Sequence, residues 1–281
     1  METAKIVLVM GKGGVGKTTI ARGIASGLSG RGLRCVVVEL GTGAATRSHA
    51  DSGSGAVQQT ISEEEALLDT ASEVFGSKSV AKLLLGNFAV KRLVSVIPGV
   101  REYCLVVAAR ARLADFERVV IDMPSTGHGI AWLSAAAQLA RLVPQGRARA
   151  QADALDAALR DPRETSYVLV TLPEPMVQAE SDELEHALIT RLGVHVNHTV
   201  LNRVPCETDL HDEDVRALAH SDPSMVSPLA ELMVWANERG GALERARGLL
   251  AGGRASVVAD RGRGPSPQTV RLALGFAGSA R

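Results

Sequence analysis

Aromatic residues are scarce in this chain. Only 3% of its 281 residues are Phe, Trp or Tyr, which argues against an aromatic-rich sandwich. The core must be built from Ala, Val and Leu, a composition that suits helices packed on a parallel sheet. Cysteine is rarer still. Cys35, Cys104 and Cys206 lie far apart and form no C-x-x-C pair, so neither a disulfide framework nor a zinc ribbon is expected. Net charge is missing too: 31 Lys and Arg balance 31 Asp and Glu. With no block of one sign, nucleic acid and an anionic membrane are not the expected partners. No apolar run reaches the roughly 18 residues of a transmembrane segment, and the short run that stops at Gly11 does not make a signal peptide. A cytoplasmic location is the expectation.

What the chain does contain is alternation. Ile6 to Met10 is a continuous apolar run closed by glycines, which reads as a buried parallel strand. Ile20, Ile24 and Leu28 recur at helical spacing from Lys17 to about Ser29, where Gly30 and Gly32 end the helix. A second strand follows over Arg34 to Leu40. Strand, glycine loop, helix and strand make a βαβ unit with a right-handed crossover. Gly41 to about Gln59, rich in Gly, Ser, Thr and Ala, reads as a loop. Helical patterns then run to Pro98 and from Tyr103 to Leu113. Strands are expected at 118–123, 167–172, 199–202 and 255–259. Helices are expected at 129–142, 150–159, 176–192, 229–250 and 268–276, with a polar segment over 207–228. The fold expected is α/β, a doubly wound and mostly parallel sheet in one domain over residues 1–281, with a helical insertion at 60–113.

The chemistry concentrates in one loop. Gly11, Lys12, Gly13, Gly14, Val15, Gly16, Lys17, Thr18 and Thr19 satisfy the pattern G-x-x-x-x-G-K-[ST]. Glycines let successive backbone N–H groups turn inward around a β-phosphate, in conformations a Cβ would obstruct. The helix that follows adds its positive N-terminal end. Lys17 supplies charge to the β- and γ-phosphates, and the Thr18 hydroxyl is a ligand for Mg²⁺. The required context, a strand before and a helix after, is present. ATP with Mg²⁺ is therefore the expected ligand pair. Asp122 ends the apolar run Val119-Val-Ile-Asp122, where a carboxylate sits near the metal, usually through a bound water.

Lysine is scarce as well, with six in the chain, yet Lys12 and Lys17 both belong to this loop. The string K-G-G-x-G-K-[ST] resembles the deviant Walker A branch of P-loop ATPases. That branch includes the MinD/ParA positioning ATPases, the nitrogenase iron protein and the ArsA-type family. In it the first lysine reaches across a nucleotide-sandwich dimer, so the resemblance implies a homodimer in which Lys12 meets the partner's phosphates. Asp122-Met-Pro-Ser-Thr-Gly-His-Gly129 is similar to the switch II of the ArsA-type ATPases, although Pro124-Ser125 stands where that family has Ala-Pro. By that likeness Gly127 senses the γ-phosphate through its backbone and His128 moves with the switch. Ile97-Pro-Gly-Val100, Tyr167 to Glu174 and Val200-Leu-Asn-Arg203 also resemble family segments. The last implies that Asn202 recognises adenine, offering both amide hydrogen and carbonyl oxygen to the base edge.

Departures from that pattern shape the functional expectation. Relatives carry an S-T-D-P-x-H switch I whose Asp positions the attacking water. Here Glu39-Leu-Gly41 occupies the stretch, with Gly41 where the Asp would fall, so hydrolysis is expected to be slow or to use a different residue, with Glu39 or a group from a partner as the substitute. The zinc-clasp C-x-x-C of the eukaryotic relatives is absent, and the spacing of Cys206, His211 and His220 fits no common metal site. The reading is an ATP-driven homodimeric switch of ArsA type whose 60–113 helices serve a hydrophobic or membrane-protein client. A MinD/ParA-like positioning or regulatory ATPase, and a nucleotide-binding scaffold with little hydrolysis, stay open beside it.

Overall fold

Eight strands line up in one sheet in the order β3-β4-β2-β5-β1-β6-β7-β8. The computed structural model describes residues 4–41, 49–50, 56–205, 255–260, 270 and 273–274. The strands are β1 (Ile6–Met10), β2 (Cys35–Gly41), β3 (His49–Ala50), β4 (Val57–Ser62), β5 (Arg118–Asp122), β6 (Thr165–Thr171), β7 (His198–Pro205) and β8 (Ala255–Asp260). All neighbours run parallel except β3, which is antiparallel to β4 at the edge.

β1 explains the architecture. Its five residues are all buried, because both faces of the sheet are covered. Ile6, Leu8 and Met10 point into one core with α2 (Glu63–Phe75), α5 (Val100–Ala111), α6 (Thr126–Leu142), α7 (Arg147–Arg160) and α8 (Pro175–Leu192). Val7 and Val9 point into the other, with Ile20, Ile24 and Leu28 of α1 (Lys17–Ser29) and with Val270. Two-residue alternation along a strand buried on both sides gives a continuous apolar run, as the sequence implies. The doubly wound α/β fold is thus present, and helices Gly129–Leu142, Ala150–Leu159 and Met176–Leu192 gain only a few residues at their ends.

Two expectations need correction. Residues 41–59 are not simply a loop: His49–Ala50 and the whole of β4 lie at or beyond that stretch, and β4 pairs with β2 from Val36↔Val57 to Gly41↔Ser62. Val57-Gln-Gln-Thr-Ile-Ser escapes an apolar-run criterion because only Ile61 is buried. The helical region does not begin at Thr60 either. Ser62 caps α2, its Oγ accepting from the Glu65 N–H at 3.2 Å, the serine–glutamate spacing of a capping box. Beyond α2 come α3 (Lys78–Gly86) and α4 (Phe88–Val96). α5 is buried from Tyr103 to Ala109 and packs on the sheet. α3 and α4 are more exposed, with Leu83 78% and Phe88 76% exposed. The 207–228 and 229–250 expectations lie outside the described residues.

Candidate functional site

The chain leaves β1 to one side for β2 and later returns to place β6 on the other side. Such a reversal opens a crevice at the C-terminal strand ends, where open α/β sheets bind their ligands. The glycine loop fills that position between β1 and α1. Gly11, Gly14 and Gly16 all take positive φ (149°, 82° and 96°). A Cβ on Gly11 would strike the Val170 carbonyl, and one on Gly16 would strike the Asn202 amide, whereas beside Gly14 there is open space. The loop is therefore fixed on its inner side and open toward a cleft of about 590 Å³ lined by Gly14, Lys17, Thr18, Glu39, Thr60 and Asp122 among others.

Within the cleft, Thr18 Oγ1 donates to Asp122 Oδ2 at 2.5 Å. Asp122 Oδ1 is buried and has no partner, an acceptor left over where most buried polar atoms are paired. Burial raises the Asp122 pKa, and the Thr18 bond and the Lys17 charge oppose that rise while Glu39 adds to it. Burial lowers the Lys17 pKa, with Asp122 acting the other way. The Lys17 ammonium donates to the Lys12 carbonyl at 2.9 Å. The Lys12 ammonium sits 2.5 Å from Glu180 Oε1.

Glu39 lies beside Asp122 in register, one strand across. Its Oε1 accepts from Arg22 Nη2 at 3.0 Å and from Gln58 Nε2 at 2.7 Å. Arg22 is one helical turn beyond Thr18, and Gln58 belongs to β4. Both were missed by reading the sequence, as was Glu180. Arg22 carried a usable signal, since i and i+4 share a helix face. Gln58 carried none until β4 was placed.

Asn202 is 1% exposed. Its Nδ2 donates to the Val15 carbonyl at 2.8 Å, and its Oδ1 is buried without a partner. One of the two amide hydrogens thus braces the loop; the second hydrogen and Oδ1 are the groups that the expected base contact would use. Gly127 and His128 fall in the first turn of α6, and the loop comes close to the preceding segment, since a Cβ on Gly13 would lie 3.9 Å from Ser125 Cβ. Val15 is buried, and Thr19 sits in the first turn of α1. Cys206, His211 and His220 lie outside the described residues.

These residues fit a Mg-nucleotide. The orphaned Oδ1 of Asp122 and the adjacent Thr18 hydroxyl are hard oxygen donors of the sort Mg²⁺ takes in small number alongside phosphate oxygens. Among the described residues no cluster of three or more His, Cys, Asp or Glu could hold a metal, so a cation here would depend on phosphate for the rest of its shell. A second cavity, of about 700 Å³, opens at the opposite end of the strands. Two ion pairs line it, Lys5 with Glu164 at 2.8 Å and Arg34 with Glu117 at 3.9 Å, and none of the glycine-loop residues is among its lining.

The profile of the CobQ/CobB/MinD/ParA nucleotide binding domain, CbiA, matches residues 6–231. No curated protein matches the chain significantly. The matched span begins at the first residue of β1 and runs through the loop, Asp122 and Asn202. A glycine loop at the sheet's reversal, with the Asp122 carboxylate beside it, accords with a nucleotide-binding domain. The chain belongs to the CobQ/CobB/MinD/ParA family of nucleotide-binding P-loop domains.

Proposed function

We propose that this chain is an ATP-binding, Mg²⁺-dependent ATPase that acts as a nucleotide-driven homodimeric switch of the ArsA type, turning over slowly. The observation that carries the reading is the Thr18–Asp122 contact with its leftover Oδ1, set against a loop whose glycines leave room only on the cleft side. Lys17 gives up its bond to the Lys12 carbonyl to reach phosphate oxygen, and the buried setting makes that exchange of partners strong. Thr18 and Asp122 orient the metal site, and a Mg²⁺ held there would neutralise charge on the transferring phosphoryl group. Oδ1 of Asn202 accepts from a base amino group, which favours adenine. The switch II likeness at Asp122 to Gly129 supports the ArsA branch within the broader family.

Slow hydrolysis follows from Glu39 and Gly41. Gly41 offers no side chain, and Glu39, which lines the cleft with Asp122, already has its Oε1 occupied by Arg22 and Gln58, which leaves Oε2 alone to meet water. That anchoring favours the second reading, a nucleotide-holding scaffold, over any fast ATPase. The exposed Leu83, Phe88 and Val96 of α3 and α4 support a hydrophobic client, with Arg92, Arg101, Glu63 and Glu64 around the adjoining cleft. Among the described residues no helix is long and apolar enough to cross a membrane, so a membrane role would go through such a client; a cytoplasmic location is part of the proposal. The test is phosphate release under single-turnover conditions together with sedimentation in Mg²⁺ and a non-hydrolysable ATP analogue. Binding without dimerisation would reject the switch and keep the nucleotide site.

A further inference from the structure

Lys12 is held at both ends. Its carbonyl accepts from Lys17 Nζ at 2.9 Å, and its ammonium lies 2.5 Å from Glu180 Oε1. Glu180 is presented by a rigid element: on α8, Val177, Ser181 and Leu184 are buried, and Ser181 Oγ donates to the Val177 carbonyl at 2.7 Å with Thr171 Oγ1 of β6 2.9 Å away. The pair itself is at the surface, with side chains 35% and 37% exposed. A lysine on a loop is thus tied to a carboxylate on a fixed helix of the same subunit.

We infer that Glu180 is a positioning residue that holds Lys12 back on its own subunit, so that closure of two subunits around nucleotide must first break this pair. The inference rests on the homodimer reading above. The competing acceptor is a polyphosphate on a second copy of the chain, which carries more charge than one carboxylate and so outcompetes a half-exposed ion pair that is worth little by itself. The first step is local. A β-phosphate that draws Lys17 off the Lys12 carbonyl releases the backbone of the residue Glu180 restrains, which links nucleotide entry to release of the lysine without any long-range pathway.

Sedimentation equilibrium in saturating Mg²⁺ and a non-hydrolysable ATP analogue tests this on wild type, Glu180→Gln, Glu180→Asp and Glu183→Gln. Glu183 is an exposed acid on the same helix, so it controls for the loss of negative charge alone. The dimer Kd should fall roughly two- to fivefold in Glu180→Gln, the size of a surface ion pair, and stay near wild type in the other two. An unchanged or higher Kd in Glu180→Gln overturns the inference, as does an equal fall in Glu183→Gln. At a concentration where the chain is monomeric, an amine-reactive reagent read by mass spectrometry should modify Lys12 several-fold faster in Glu180→Gln than in wild type. Equal rates also overturn it. A wild type that never dimerises would defeat closure and the homodimer reading together, and a persisting difference in Lys12 labelling would locate that failure in the dimer rather than in the pair.

Discussion

Thr18 and Asp122 are 104 residues apart in sequence and 2.5 Å apart in space, the hydroxyl of α1 donating to the carboxylate of β5. The contact joins the start of the helix to the end of the neighbouring strand, and it also sets up a conflict. Burial raises the Asp122 pKa above its ordinary value. A carboxyl whose folded pKa exceeds its unfolded one favours folding while protonated, below the unfolded value. That contribution is lost as pH rises through the folded value. At neutral pH the ionised group therefore works against the fold unless a cation answers it. Asp122→Asn keeps an acceptor for Thr18 and removes the charge. Without Mg-nucleotide it should melt higher than wild type at pH 7, by a few degrees, the ~2–4 °C that about 1 kcal/mol is worth in a chain of this size. The advantage should shrink toward pH 4, and Mg-ATP should stabilise wild type but not the variant. Thermal melts at both pH values decide it, and a variant less stable at pH 7 would contradict the assignment.

Lys17 presents the same conflict with opposite sign. Burial lowers its pKa, so the fold holds a cation it would rather see neutral. Lys17→Ala should leave the melting temperature unchanged or raised, yet lower ATP affinity by at least tenfold, as loss of a charge-assisted hydrogen bond implies. Calorimetric titration measures this directly, and retained affinity would refute the phosphate-loop role.

Asn202 gives one polar end to the loop and, in the proposed function, the other to the base. Asn202→Asp keeps an acceptor but loses the hydrogen donated to the Val15 carbonyl, so it should destabilise the loop and weaken ATP and GTP alike. Asn202→Ala also removes Oδ1, and it should reduce the preference for ATP over GTP. Titrating both nucleotides against both variants separates bracing from base recognition. Equal discrimination in wild type and Asn202→Ala would remove the adenine role.

Most of the sheet could be read from the chain because β1, β5 and β6 are buried on both faces and so appear as apolar runs. β4 could not, since Gln58, Gln59 and Thr60 are polar for a reason that the strand order supplies: Gln58 bonds Glu39, and Thr60 lines the cleft. The loop from Gly11 to Thr19 was legible because its chemistry is contiguous. Gln58 and Glu180 were not, because each acts on a residue brought near by register or packing, and of Arg22 only its helix face could be read. Asn202 was picked out as a strand-end residue, but that its amide nitrogen faces the loop is a tertiary fact.

Catalysis is where those hidden neighbours matter most. Gly41 ends β2 opposite Ser62 and lies two residues beyond Glu39. If the ATPase waits for a carboxylate at that position, Gly41→Asp should accelerate single-turnover hydrolysis, by up to the ~10²–10⁴-fold that a placed general base contributes. If Glu39 serves instead, its orientation depends on Arg22 and Gln58. Glu39→Gln should then abolish turnover, and Gln58→Ala should slow it while leaving ATP affinity intact, because the hydrogen bond of Gln58 is to the carboxylate. The pattern expected here is a slow wild type, a gain in Gly41→Asp and a partial loss in Gln58→Ala. Equal slow rates in all four proteins would mean that neither carboxylate position limits the reaction and would favour the nucleotide-holding scaffold. A fast wild type indifferent to Glu39→Gln would place the chemistry on a residue outside this cleft wall.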